Sequence, residues 1–249
     1  MRYFVEFAYN GTAYHGSQRQ PNGITVQEIM EDGFSTILRV PVELTFAGRT
    51  DAGVHAEQMY AHFDYPAAGI SEQSDLQEIA PRLNSLLPAD IAVRRIFQVP
   101  DDAHARFSAT ERTYEYRITT EKDPFRQTLV TRVAPGLDFE AMNNAAQILL
   151  GKHDFASFCK VHTDVKTTFC TVTRAAWKDN IFTISADRFL RNMVRAIVGT
   201  LFEVGRKKMT PEEFRSVIEA QNRCAAGQSA PPQGLYLTQI KYSTNLFIV

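Results

Sequence analysis

One carboxylate stands out by its surroundings. In Phe46-Ala47-Gly48-Arg49-Thr50-Asp51-Ala52-Gly53-Val54-His55-Ala56, Asp51 lies between two glycines with Arg49 two residues before it. Apolar, strand-like runs flank the segment: Val42, Leu44 and Phe46 before it, Met59, Ala61 and Phe63 after it. Gly48 and Gly53 admit backbone conformations closed to other residues, so the spacing predicts a tight, exposed connection that carries Asp51. A loop held by two strands offers a reactive group on a rigid support. A carboxylate presented in this way can act as nucleophile or base, and in either role it must be ionised. Burial beneath a substrate opposes ionisation and a nearby guanidinium restores it, so this chemistry asks for an arginine close at hand. Taken alone, Asp-Ala-Gly is more often an ordinary turn.

Two further segments supply cations. In Arg188-Phe189-Leu190-Arg191-Asn192-Met193-Val194-Arg195, the arginines stand at i, i+3 and i+7, which predicts one helix face beside an apolar stripe. Cations in a first helical turn oppose the macrodipole by about 0.3–1 kcal/mol each, and anions across a cleft would reverse that sign. Arg188 and Arg191 read either as phosphate contacts or as a solvated face. The other segment is His104-Ala105-Arg106-Phe107-Ser108-Ala109-Thr110-Glu111-Arg112-Thr113-Tyr114-Glu115-Tyr116-Arg117. On a strand from Arg112, the side chains of Arg112, Tyr114 and Tyr116 share a face. An aromatic flanked by arginine on an open sheet can stack on a splayed base, worth about 1–3 kcal/mol. Arg106, at the head of the segment, is a candidate substrate contact. The alternative is packing in the core, and for Tyr116 that reading is preferred.

The elements that must position these groups follow from periodicity. Strands are predicted near 2–9, 43–47, 57–65, 91–99, 112–119, 168–177, 180–187 and 235–243. Helices are predicted from Val26, behind a capping box at Thr25–Glu28, over 75–87 behind Ser74 and Gln77, over 139–150 ending at Gly151, over 189–205, and from Thr210-Pro211-Glu212-Glu213. The first half reads βαββαβ and the second βαββα(α)β, both the ferredoxin-like order. We therefore expect an α+β protein of two such halves, RRM-like, sharing an extended antiparallel sheet with a central cleft. The boundaries are 1–105 for the half with the Asp loop and 106–249 for the half with Tyr114 and the basic helix. Helices on one sheet face should leave the other free for a ligand, as in RNA-binding sheets. Gly11–Gly23, Ala67–Ser74 and Glu121–Arg132 are polar loops suited to lining the cleft.

Composition narrows the class. At 249 residues, with 44% hydrophobic and 22% charged residues, the chain is ordinary for a globular protein with a buried core. No run approaches the roughly 20 apolar residues of a membrane span, so no membrane association is expected. Cys159, Cys170 and Cys224 form no Cys-x-x-Cys pair, which argues for free thiols in a reducing cytoplasm. The net charge of −1 excludes a uniformly basic coat, but from Arg188 to Lys208 six cations face Glu203 alone, a local net of +5. A patch of that kind attracts phosphates. His153, Asp154, Cys159 and His162 can be drawn as zinc ligands, yet no second suitably spaced pair accompanies them and no metal is expected. There is no G-x-x-x-x-G-K-[ST] loop and no dinucleotide fingerprint, hence no nucleotide cofactor.

Gly48-Arg49-Thr50-Asp51-Ala52-Gly53-Val54-His55-Ala56 resembles the signature of the TruA family of tRNA pseudouridine synthases. The resemblance extends to Tyr9-Asn10-Gly11-Thr12-Ala13-Tyr14-His15-Gly16-Ser17-Gln18, to Gly151-Lys152-His153-Asp154-Phe155-Ala156-Ser157-Phe158 and to Gly234-Leu235-Tyr236-Leu237. Ser17 departs from the family pattern, which usually has tryptophan there, and Gly227-Gln228-Ser229-Ala230-Pro231 is a loosened form of Gly-Pro-Thr-Ala-Pro. The resemblance implies the pseudouridine synthase fold and isomerisation of uridine to pseudouridine at positions 38, 39 and 40 of the tRNA anticodon stem-loop, without a cofactor. It implies that Asp51 is nucleophile or base on a flipped-out uridine, Tyr114 the platform that stacks on the uracil, and Arg195 the ion-pair partner of Asp51. Arg49 would act as a wedge or phosphate contact during flipping, and a homodimer would grip one tRNA across both subunits. A non-catalytic RNA-binding protein and a small-molecule enzyme with an Asp–Arg pair are the rival readings.

Overall fold

The computed structural model describes residues 1–66, 73–160 and 166–247. Among them are ten strands and five α-helices, an α+β chain. It divides into two compact units, one of Met1–Thr110 with Leu237–Val249 and one of Glu111–Tyr236.

The first unit contains β1 (Arg2–Tyr9), α1 (Val26–Leu38), β2 (Thr45–Phe46), β3 (His55–Asp64), α2 (Gln73–Leu86) and β4 (Ile91–Val99). β10 (Leu235–Tyr242) completes it, giving the order β4-β1-β3-β10 with β2 also on β3. Alternation assigns the two faces. Tyr3, Val5 and Phe7 of β1 are buried on the helix side, where Phe63 stacks on Tyr3 at 5.6 Å and meets Phe34 of α1 at 4.9 Å. Burying each such ring contributes on the order of 1.5–3 kcal/mol. α1 begins where Thr25 accepts the Glu28 N–H at 3.3 Å, one half of the predicted capping box.

The opposite face is not bare, contrary to expectation. Glu6 is buried there, accepting from Tyr60 Oη at 2.9 Å, Gln58 Nε2 at 3.1 Å and Arg95 Nε at 2.7 Å. Tyr242 of β10 packs edge-on against Phe4 and Tyr60 and donates to the Ala105 carbonyl at 2.6 Å. The Ala105 N–H in turn donates to His62 Nδ1 at 3.2 Å. Ala105 and the Tyr242 ring therefore occupy part of the face that was expected to be free.

The second unit holds β5 (Ala109–Thr119, begun in the first), β6 (Thr131–Arg132), α3 (Phe139–Gln147), β7 (Gly151–Asp154), β8 (Phe169–Lys178), β9 (Ile181–Ala186), α4 (Met193–Gly205) and α5 (Pro211–Glu219). Its order is β5-β9-β8-β7, with β6 parallel on β5. Asp179 and Asn180 turn β8 into β9 at φ 49° and 64°, the twist a two-residue hairpin requires. Tyr116, Phe182, Ile184, Leu201 and Phe214 form its core. β6 and β7 were not anticipated.

Among the described residues no helix is long and apolar enough to cross a membrane. The three cysteines are free, and burial pushes the Cys170 thiol up to about 12. The predicted loop at Ala67–Ser74 lies outside the described residues as far as residue 72; α2 already begins at Gln73, so Ser74 falls inside the helix instead of capping it.

Candidate active site

Asp51 sits on the connection between β2 and β3, as predicted. The Ala47 N–H donates to the Tyr60 carbonyl at 2.7 Å as the chain leaves β2, and the Val54 N–H donates to the Asp51 carbonyl at 3.1 Å before β3 begins. Gly53, third in that turn, has φ 76°, a conformation that favours glycine. Gly48 does not use its freedom: its φ is not positive, and a Cβ there would meet nothing within 4 Å. Asp51 is half-buried, Arg49 exposed and Thr50 buried.

What stiffens this loop is a second one, residues 10–17. The Gly11 N–H donates to His55 Nδ1 at 3.0 Å, which assigns that nitrogen as acceptor and so the neutral ring. A Cβ on Gly11 would lie 2.0 Å from the Val54 carbonyl oxygen, so only glycine permits this approach. Tyr9 Oη and Thr50 Oγ1 are 2.7 Å apart in the interior. Ser17 Oγ accepts the Thr50 N–H at 2.9 Å, and the Ser17 N–H donates to the Thr50 carbonyl at 3.2 Å. Tyr9, Gly11, Ser17 and His55 were not foreseen as supports of Asp51. All four lie in the segments Tyr9–Gln18 and Phe46–Ala56, yet no spacing within those segments ties them to Asp51.

Arg106 also belongs to the first unit. Its guanidinium lies 5.6 Å from the ring centre of Phe107, which is 74% exposed. His104 Nδ1 accepts the N–H groups of Arg106 and Phe107 at 3.1 and 3.4 Å, holding this corner. Burial, then Arg2 and Arg106, lower the His104 pKa and so favour the neutral ring that such bonding needs.

In the second unit, Tyr114 of β5 is half-buried opposite Ile184 and meets Phe189 edge-on at 5.0 Å. Tyr116 is fully buried, its hydroxyl 2.7 Å from Thr131 Oγ1 and donating to the Pro231 carbonyl at 2.8 Å, so the preferred core reading holds. Burial raises its pKa well above the usual phenol range.

The arginine series requires correction. α4 starts at Met193, not near 189, so Arg188 and Arg191 precede the helix and share no helical face with Arg195. Asn192 takes φ 66°, a left-handed conformation that asparagine tolerates, and this breaks the helical path. The macrodipole argument therefore does not apply to Arg188 and Arg191. Asn192 Nδ2 instead donates to Ser229 Oγ at 2.6 Å. Arg195 Nε donates to the Ala230 carbonyl at 2.8 Å, and the Ala230 N–H donates back to the Arg195 carbonyl at 2.8 Å. The 227–231 loop is thus what orients Arg195. The patch is also partly neutralised: Arg206 and Lys208 reach Glu203 at 2.8 and 3.8 Å, and Lys207 reaches Asp138 at 3.8 Å.

Of the residues drawn as zinc ligands, His153 Nε2 lies 2.8 Å from the Leu150 carbonyl and Asp154 Oδ1 accepts the Ala156 N–H at 3.0 Å. His162 lies outside the described residues.

Comparison with known proteins covers most of the chain. A family model described as tRNA pseudouridine synthase matches residues 7–108 and 145–243. These spans include Arg49, Asp51, Arg106, Arg188, Arg191 and Arg195; Tyr114 falls between them. The chain is 53% identical to tRNA pseudouridine synthase A of Bacteroides fragilis over 251 residues, covering 99% of this chain and 98% of that one. It is similar to the protein of the same name from Parabacteroides distasonis, at 52% identity over 100% of this chain and 98% of the other. With that of Porphyromonas gingivalis it shares 51% identity over 99% of each.

Proposed function

Because this chain belongs to the tRNA pseudouridine synthase family, we propose that it isomerises uridine to pseudouridine in the tRNA anticodon stem-loop, at positions 38, 39 and 40. The N1–C1′ bond of the nucleotide breaks, the detached uracil turns, and C1′ bonds to C5; the C5 proton leaves and N1 gains one. Atoms balance within the substrate, so the reaction needs no redox partner. It needs a base taken out of its stack, one carboxylate and a pocket that retains the free uracil.

The observation that carries this reading is a half-buried carboxylate on a loop braced by a second loop. Asp51 acts as nucleophile or base, either by attacking the nucleoside or by removing a sugar proton. Arg195, oriented by Ala230, is its ion-pair partner. Tyr114 stacks on the uracil. Exposed Arg49 intrudes into the RNA or contacts phosphate during flipping. Arg106, Arg188 and Arg191 contact the RNA backbone, with Arg188 and Arg191 acting from the segment ahead of α4 rather than from its face. The protein works in the cytoplasm as a homodimer that grips one tRNA. Asp51→Asn tests the assignment: tRNA binding should stay within a few-fold while pseudouridine formation disappears, and measurable turnover would count decisively against it.

A further inference from the structure

Ser17 is fully buried although it belongs to no helix or strand. Its polar groups run in separate directions. The carbonyl accepts the Gln27 N–H at 3.0 Å in the first turn of α1, the N–H donates to the Thr50 carbonyl at 3.2 Å, and the hydroxyl accepts the Thr50 N–H at 2.9 Å. One residue therefore grips both backbone groups of Thr50 and ties them to a helix. The Thr50 hydroxyl is bonded as well, to Tyr9. The Thr50 carbonyl lies in the planar peptide unit that ends at the Asp51 Cα. Fixing that carbonyl, together with the N–H one peptide earlier, fixes the point from which the Asp51 side chain projects.

We propose that Ser17 is a positioning residue for the reaction, its hydroxyl locking, through Thr50, the backbone that carries the Asp51 carboxylate. This rests on Asp51 being the reacting carboxylate. Of the links between Ser17 and Thr50, the hydroxyl is the one a substitution removes while both backbone links to Ser17 keep their atoms. Its loss leaves a buried N–H without an acceptor, which the loop relieves by shifting. Misplacement of a reacting group by about 1 Å costs on the order of a hundredfold in rate.

The test compares Ser17→Ala, Ser17→Cys and Asp51→Asn with the unsubstituted protein in single-turnover release of tritium from tRNA carrying [5-³H]uridine. Ser17→Ala should slow the rate about ten- to a hundredfold while the Kd for tRNA stays within about twofold. Amide exchange at Thr50 should quicken with the α1 amides unchanged. Ser17→Cys keeps an acceptor of similar shape, though weaker, and should recover part of the rate even if the alanine variant folds poorly. A Ser17→Ala rate within twofold of the parent, a rate loss matched by an equal loss of tRNA binding, or no rescue by cysteine would each overturn the proposal. An inactive Asp51→Asn beside a fully active Ser17→Ala would remove only the role of Ser17. Turnover by Asp51→Asn would instead remove the reading on which it rests.

Discussion

Among the groups through which acid should weaken this fold is the ring of His62. It lies on β3, 7% exposed, and its Nδ1 accepts the Ala105 N–H at 3.2 Å. Its ring stacks with Phe4 at 6.2 Å and meets His104 at 4.6 Å. Burial pushes its pKa from 6.5 to about 4, helped by the positive charge of Arg2 and by His104 once that ring is protonated, and opposed by Asp64. A proton on Nδ1 would also face the Ala105 N–H donor to donor. The unfolded chain takes up this proton near pH 6.5 and the folded chain only near pH 4, so across that window acid favours unfolding. The neutral ring's stabilisation is whole above the upper value and lost on the way to the lower one. At 1.36 kcal/mol per unit the loss comes to about 3 kcal/mol. Urea unfolding of the parent and of His62→Gln at steps between pH 7.5 and 4 measures it. Near neutrality the variant should be the less stable, because the ring between Phe4 and His104 is gone. The gap should then narrow by about 3 kcal/mol as pH falls. Carboxylates such as Asp64 and Glu6 titrate in both proteins and largely cancel in the difference. A gap that stays constant from pH 7 to 4.5 would refute the reasoning.

Two more expectations concern the second unit. Tyr116→Phe removes a buried hydroxyl bonded to Thr131 and Pro231 and should cost about 1–3 kcal/mol, a Tm lower by roughly 3–10 °C. Since Pro231 follows the residue that orients Arg195, turnover should fall too; an unchanged Tm would show that these bonds carry nothing. Replacing Arg188 and Arg191 together by glutamine should flatten the log–log salt dependence of tRNA binding by about 1.4–1.8, two phosphate contacts' worth. An unchanged slope would remove both from the RNA path.

Where the pattern was local, the sequence read well. β1 and β4 occupy the residues that alternation predicts, 2–9 and 91–99. At Thr210 the side chain accepts the Glu213 N–H at 3.1 Å while Glu213 Oε2 accepts the Thr210 N–H at 2.7 Å, the full box that four residues announce. Legibility failed where one backbone angle or one distant contact decided the matter. Residues 189–192 have helical spacing, but Asn192 adopts a left-handed conformation because its amide reaches Ser229, 37 positions away. Thr50 and Ser17 are 33 positions apart, and no period connects them. Asp51 was singled out by its neighbours, whereas the loop that braces it became visible only once the chain was folded.

The partition of the chain has a consequence for its synthesis. The unit that bears Asp51 takes the last six residues of its final strand, 237–242, from chain made after the whole of the other unit. Until Tyr242 arrives, Phe4 and Tyr60 lack the ring that shields them and the Ala105 carbonyl lacks its phenol. A nascent chain leaving the ribosome must therefore carry the half that bears Asp51 unfinished, with apolar surface open, while the intervening half folds. Aggregation of the truncated product, and engagement by chaperones, should concentrate in that interval.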